Sequence, residues 1–236
     1  KKTTGGDVTL SRPFSEYTRG RLTLKAEGNV YTQDKENADD PTHEKWFEDY
    51  STRTIGFGLN TDTSDHPFNP TEGYRNDAYL EIGTTLLGGD YQFAKLRLNH
   101  SRYFELFDGG YVFAVRGLGG RKLAGSLGEN EKFTIGGADT LRGYSRGAND
   151  TLKGDNMLVL NAEFRFPIVD RITGVVFTDW GRAWDSEDGL NLTDLNNSFG
   201  VGVRLDTPLG LLRLDYGFGK DEDNKRSGQF YFGVGQ

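Results

Sequence analysis

The sequence contains no cysteine, one methionine, six prolines and three histidines in 236 residues. Without cysteine there is neither a disulfide framework nor a thiolate site. No stretch approaches the roughly 18 consecutive apolar residues of a membrane-spanning helix, and no signal peptide is visible at Lys1. Positive charge is in deficit: 28 Lys and Arg against 35 Asp and Glu give a net charge of −7. A nucleic-acid partner, which needs a basic face, is therefore disfavoured. The negative mean hydropathy would ordinarily indicate a soluble protein. A membrane β-barrel escapes that test, because only every second residue of each strand faces lipid.

Glycine, by contrast, is abundant, with 33 residues against a usual share of roughly 7%. Tyr and Phe number 11 and 16. Glycine and aromatics are poor helix formers, and aromatics are enriched in strands. Alternation confirms the direction. Leu158, Leu160, Ala162, Phe164 and Phe166 share one parity, and Asn161, Glu163 and Arg165 the other. The same period of two recurs over residues 20–30, 94–99 and 211–218, as expected of strands with one apolar and one polar face.

The pattern predicts about eleven strands, over residues 5–13, 18–32, 50–62, 73–87, 91–106, 110–123, 156–167, 171–184, 198–207, 210–219 and 228–236. Several match the nine to eleven residues of a tilted bilayer crossing. The connections sort by parity. One side has Pro13–Tyr17, Thr63–Glu72, Phe107–Gly109, Pro167–Asp170 and Pro208–Leu209; the other has Gln33–Asp49, Ala124–Asp155, Asp185–Asn197 and Lys220–Ser227, with Gly88–Asp90 as the exception. Short turns opposite long polar loops are the mark of an outer-membrane barrel, with the short turns in the periplasm. The expected fold is thus all-β, an antiparallel transmembrane β-barrel with its C-terminus periplasmic. An odd strand count, where bacterial single-chain barrels are even, implies strands before Lys1. The end at Gln236 implies a residue or two beyond it.

Six motifs follow in order: Phe133-Thr-Ile-Gly136-Gly137-Ala-Asp-Thr-Leu141-Arg142-Gly143-Tyr144, Glu163-Phe-Arg-Phe-Pro167, Phe177-Thr-Asp179-Trp-Gly181, Gly200-Val-Gly202-Val-Arg204, Thr207-Pro-Leu-Gly210 with Leu214-Asp-Tyr-Gly217, and Phe230-Tyr-Phe-Gly233. Together with a turn from Asp62-Thr-Ser-Asp65 to Pro70-Thr-Glu-Gly73, they resemble the BamA-type outer-membrane assembly factors, the bacterial surface antigen barrel family. The resemblance covers essentially the whole chain and is most specific over 130–236. It implies a barrel of about sixteen strands, of which roughly five would precede this chain, along with periplasmic polypeptide-transport-associated domains. It also implies a long external loop folded into the lumen.

In that family the loop arginine engages acidic residues on two wall strands, a role the resemblance assigns to Arg142, Glu163 and Asp179, with Tyr144 packed beside them. A planar guanidinium suits bidentate carboxylate binding, and Gly136, Gly137 and Gly143 permit close approach to a wall. The bland alternative is ordinary lumenal polarity. The final strand, with Gly228, Phe230, Phe232 and Gly233, would close against a first strand outside this chain. Its glycines either weaken a seam that opens to template an incoming strand or fit crowded positions.

Other chemistry is weakly represented. Asp62, Asp65 and His66 suggest a metal only if the family turn is ignored. The acidic stretches 34–49 and Asp221–Asp223 lack calcium-loop spacing. His43, His66 and His100 have no partnered nucleophile, and the glycines of 136–143 do not follow a phosphate-loop pattern. The expectation is a protein without enzymatic activity, metal or cofactor. It would insert β-barrel proteins into the outer membrane of a diderm bacterium. Its partners would be outer-membrane lipids, unfolded barrel clients and periplasmic accessory lipoproteins. The alternatives are a two-partner-secretion translocation pore or the barrel anchor of a fused N-terminal enzyme; a plain diffusion porin fits least, because the loop would narrow it.

Overall fold

In the computed structural model, residues 2–30, 49–189, 191–208, 210–220 and 225–234 are described. Runs of alternating polarity become β1 (Lys2–Pro13), β2 (Thr18–Val30), β3 (Tyr50–Asp62), β4 (Gly73–Gly83), β5 (Phe93–Phe107) and β6 (Tyr111–Gly125). After two short strands, β7 (Phe133–Thr134) and β8 (Lys153–Gly154), come β9 (Asn156–Val169), β10 (Ile172–Trp184), β11 (Asn196–Thr207), β12 (Gly210–Lys220) and β13 (Arg226–Val234). Eleven strands form one sheet in the order β1-β2-β3-β4-β5-β6-β9-β10-β11-β12-β13, while β7 and β8 pair with each other. Neighbours in the main sheet are antiparallel. The all-β antiparallel expectation therefore holds. The stretches Asp34–Glu48, Asp221–Asp223, His43 and Gln236 lie outside the described residues.

One boundary departs from expectation. The strand expected over 73–87 stops at Gly83, and its partner begins at Phe93 rather than residue 91. Residues 84–92 turn back onto the start of β3: Thr84 N–H donates to Arg53 C=O at 3.0 Å and Asp90 N–H to Ser51 C=O at 2.9 Å. The Asp90 carboxylate also accepts from the Ser51 N–H at 2.6 Å and its hydroxyl at 2.9 Å. Leu86, whose side chain extended the apolar run, is 93% exposed at the tip. Side-chain capture by a β3 residue overrides local alternation here.

The chain divides into two compact units. The first comprises Lys1–Leu59, Ala78–Leu96 and Lys122–Lys132. Its centre is a run of alternating charge: Lys25 lies 3.7 Å from Glu81, Glu81 3.2 Å from Lys95, and Lys95 2.7 Å from Glu131. Glu131 is buried, so the segment after β6 is anchored to its own wall.

The second unit comprises Asn60–Asp77, Arg97–Arg121 and Phe133–Gln236. Alternation divides its sheet sharply. Phe199, Val201, Leu214, Phe230, Phe232 and Val234 stand on one face, each at least 48% exposed. Ser198, Arg204 and Asp215, of opposite parity, are buried. A contiguous exposed apolar face of this kind requires a lipid or protein cover.

The turn between β3 and β4 also belongs to this unit. Asp65 accepts from the Thr71 and Glu72 N–H groups at 2.9 and 3.0 Å and from the Thr71 hydroxyl at 2.7 Å. His66 Nδ1 accepts from the Phe68 and Asn69 N–H groups at 3.2 and 3.0 Å. Asp62 pairs with Arg75 at 3.1 Å. These side chains are engaged in building the turn. Burial acts to raise the Asp65 pKa, but the bonds from Glu72 and Thr71 outweigh it and hold the carboxyl below its ordinary value of 3.8. A depressed acid contributes stability above its unfolded pKa, and loses it as the pH falls through the folded value. Nicking of residues 63–72 by an acid-tolerant protease should therefore stay slow at about pH 5 and rise at about pH 2. Asp65→Ala should be nicked readily at both. Equal wild-type rates at the two pH values would refute this role for Asp65.

Candidate functional site

The long connection between β6 and β9 folds around its own small core. Ile135, Leu141 and Leu152 are fully buried, and they pack with Tyr144, Leu118, Met157, Val159 and Ala183. Met157 and Val159 belong to β9 and Ala183 to β10, so the loop rests on an apolar patch of the wall. Local geometry closes it: Gly137 N–H donates to Tyr144 C=O at 2.8 Å, and Ile135 N–H to Leu152 C=O at 2.8 Å. Gly136, Gly137 and Gly143 have φ of +108°, +85° and +89°, values that favour glycine.

This fold presents Arg142 to the wall. Its Nε and Nη2 each donate to an Asp179 oxygen at 2.8 Å, and its backbone N–H adds a third bond at 3.1 Å. Nη1 reaches Glu163 Oε1 at 2.7 Å. The guanidinium lies over the Phe177 ring, 3.4 Å from its centroid. Tyr144 is buried beside it and donates from its hydroxyl to Asn197 C=O at 3.0 Å. The structure thus brings together Arg142, Gly143, Tyr144, Glu163 and Asp179.

Three further charged residues complete the cluster. Arg165 donates to Glu163 at 2.9–3.0 Å. Arg204 forks onto Asp215 at 2.6 and 3.2 Å and lies 3.6 Å from Glu163. Asp215 stands 3.6 Å from Arg142. Three arginines therefore face three carboxylates, and the charges balance, which burial requires. The sequence reading missed Arg165, Arg204 and Asp215, although the signal was present. Arg165 follows Glu163 by two residues, which places both on one face. In the β11–β12 register, Asp215 opposites Gly202, two residues from Arg204.

The limbs differ in exposure. The Asp179 side chain is fully buried, whereas Glu163 retains 14% exposure. Glu163 borders a polar cavity of about 440 Å³ that Tyr103, Arg116, Asp139 and Arg213 also line. Asp139, at the loop tip, accepts from Arg116 through its C=O at 2.6 Å and pairs with Arg213. The Asp179 limb is the more buried one, where attraction between charges is less screened.

The seam-strand residues fall elsewhere. On β13, Phe230 and Phe232 are on the exposed apolar face at 80% and 66%. A Cβ on Gly228 would fall 2.1 Å from the Tyr216 hydroxyl, and one on Gly233 would fall 3.1 Å from Arg213 Nε. Side chains of β12 thus stand close to both positions. No group of three or more potential metal ligands occurs among the described residues.

The chain as a whole has relatives among known proteins. The Omp85 superfamily domain matches residues 1–236. A stretch of 126 residues is 36% identical to Outer envelope protein 80, chloroplastic, of Arabidopsis thaliana, covering 50% of this chain and 16% of that protein. A stretch of 192 residues is 33% identical to Outer membrane protein assembly factor BamA of Nitratidesulfovibrio vulgaris, covering 74% of this chain and 24% of that protein. The fold matches that of BamA from Haemophilus ducreyi lacking POTRA domains 1–3 with a TM-score of 0.77 at 18% identity, over 99% of this chain and 54% of that one. The chain thus spans a quarter or less of the length of these two sequence relatives.

Proposed function

The chain belongs to the Omp85 superfamily, and from that premise we propose that it is barrel wall of an assembly factor that folds and inserts β-barrel proteins into an outer membrane. The loop held to the wall by Arg142 carries this reading. On a barrel of this family the loop-bearing face is lumenal and the exposed apolar face meets lipid. The docked loop then braces the strands next to the terminal strand β13, where a client strand would be received. The name of the BamA relative from N. vulgaris supports assembly as the activity.

The proposed work is a lowering of the barrier to folding in the membrane, with no covalent step and no cofactor. The partners follow from it: outer-membrane lipids, unfolded barrel clients and periplasmic accessory lipoproteins. The proposed location is the outer membrane of a diderm bacterium, with the short turns and the C-terminus periplasmic. The test is the outer-membrane proteome after conditional depletion of the protein. Loss of many unrelated barrels together is the expected result. Loss of one secreted passenger with other barrels intact would instead make it a dedicated translocation pore.

A further inference from the structure

β13 is held on one side by the ladder to β12, from Leu212↔Val234 to Lys220↔Arg226, and it is the last strand of the sheet among the described residues. Its second attachment is to the loop. Tyr231 and Gln229 share the loop-bearing parity. The Tyr231 hydroxyl accepts the Gly143 N–H at 2.8 Å. With one proton to give, that hydroxyl donates to Gln229 Oε1 at 2.8 Å or to Tyr144 C=O at 3.2 Å. Gln229 Nε2 in turn donates to Ser145 Oγ at 3.1 Å. Three consecutive loop residues, Gly143, Tyr144 and Ser145, therefore touch two alternate residues of the last strand.

They reach it because β12 is bare beneath them. A Cβ on Gly217 would fall 2.8 Å from Gly143 N, and a Cβ on Gly219 would fall 2.2 Å from Gly143 O. In the register Gly217 faces Gln229 and Asp215 faces Tyr231, so a chain crossing this glycine track next meets those two side chains. Gly143 is itself buried, and a buried N–H without a partner is costly. The Tyr231 hydroxyl supplies the partner. Phenylalanine would fill the same space but would not accept that bond.

We propose that Tyr231 is a positioning residue, joining β13 to the docked loop so that the place of the last strand does not depend on whatever pairs with its outer edge. The proposal rests on the assembly reading above: a strand whose outer edge changes partners must be held from elsewhere, and the loop holds it.

The test uses Tyr231→Phe in the full protein in lipid vesicles, with two readouts. The first is deuterium uptake by peptides covering 141–146 and 226–234, with β9 and β10 peptides as internal controls. The second is the rate at which an unfolded client barrel acquires its folded form. Loss of one buried hydrogen bond should raise uptake in the first two segments on the order of tenfold, leave β9 and β10 unchanged, and slow client folding. Gly219→Ala, which lifts the loop from β12 without altering Tyr231, should give the same pattern. Wild-type uptake in Tyr231→Phe would overturn the attachment. Raised uptake with unaltered client folding would overturn its role in positioning. Wild-type vesicles that accelerate no client barrel would overturn the assembly reading instead, leaving the attachment standing on the uptake data.

Discussion

Arg142→Ala is expected to free the loop from the wall and to lower outer-membrane barrel content more than any other single substitution in the cluster. The substitution leaves Asp179, which is 0% exposed, without its arginine, while Asp215 keeps the fork from Arg204. Removing one partner of a buried ion pair costs about 3–5 kcal/mol, a shift of roughly two to three and a half decades in a docking equilibrium. The ladder bonds of β9 to β13 are untouched, so the barrel should persist while the loop opens. Protease added from outside should then cut within 126–155, which the wild type should resist. Arg142→Lys should fail almost as fully, because a compact ammonium cannot fork onto Asp179 and still reach Glu163. Among the acids, Asp179→Asn should exceed Glu163→Gln, since Glu163 borders the cavity and keeps 14% exposure while Asp179 is fully buried. Normal assembly and a protected loop in Arg142→Ala would discard the clamp.

Gly143→Ala should approach the same phenotype with every charge in place. The residue has φ of +89°, a conformation that strains any residue with a Cβ. An added Cβ would also lie 2.3 Å from Gly219 N and 2.7 Å from Phe218 C, both backbone atoms of β12. Backbone cannot rotate aside as a side chain would, so the loop must lift. Strain of order 1–3 kcal/mol adds to that overlap. The expected outcome is protease sensitivity of the loop with reduced barrel assembly. If Gly143→Ala left loop protection intact, the close approach to β12 would have no functional weight, whatever Arg142 does.

The strands were legible because a sheet with one apolar face imposes a period of two, and the long runs of this chain obey it. Residues 84–92 were not, because Leu86 and Leu87 continue the apolar pattern while Asp90 and Thr84 bond back to β3. The Arg142, Glu163 and Asp179 group was reached through resemblance of ordered motifs; parity alone marks Glu163 only as a polar position. Arg165, Arg204 and Asp215 share that face, and one arginine against two acids already left a negative charge that called for a further cation. Tyr231 was hidden for a different reason. Its role depends on the register of β12 against β13 and on a loop crossing over Gly217 and Gly219, and neither relation can be read from one strand. The glycines of β13 left two explanations open in sequence, and the nearness of Tyr216 to Gly228 became visible only in the folded register.

The central claim is that the Arg142 cluster seats the loop beside the terminal strand in the working protein. Residues 1–236 contain no cysteine, so within them Ser145→Cys paired with Gln229→Cys, each single variant serving as control, reports a site where the native side chains meet at 3.1 Å. A short thiol cross-linker applied to intact membranes should join the pair efficiently, and adding Arg142→Ala should abolish the product. A cross-link that forms equally with and without Arg142, or in neither case, would contradict the account.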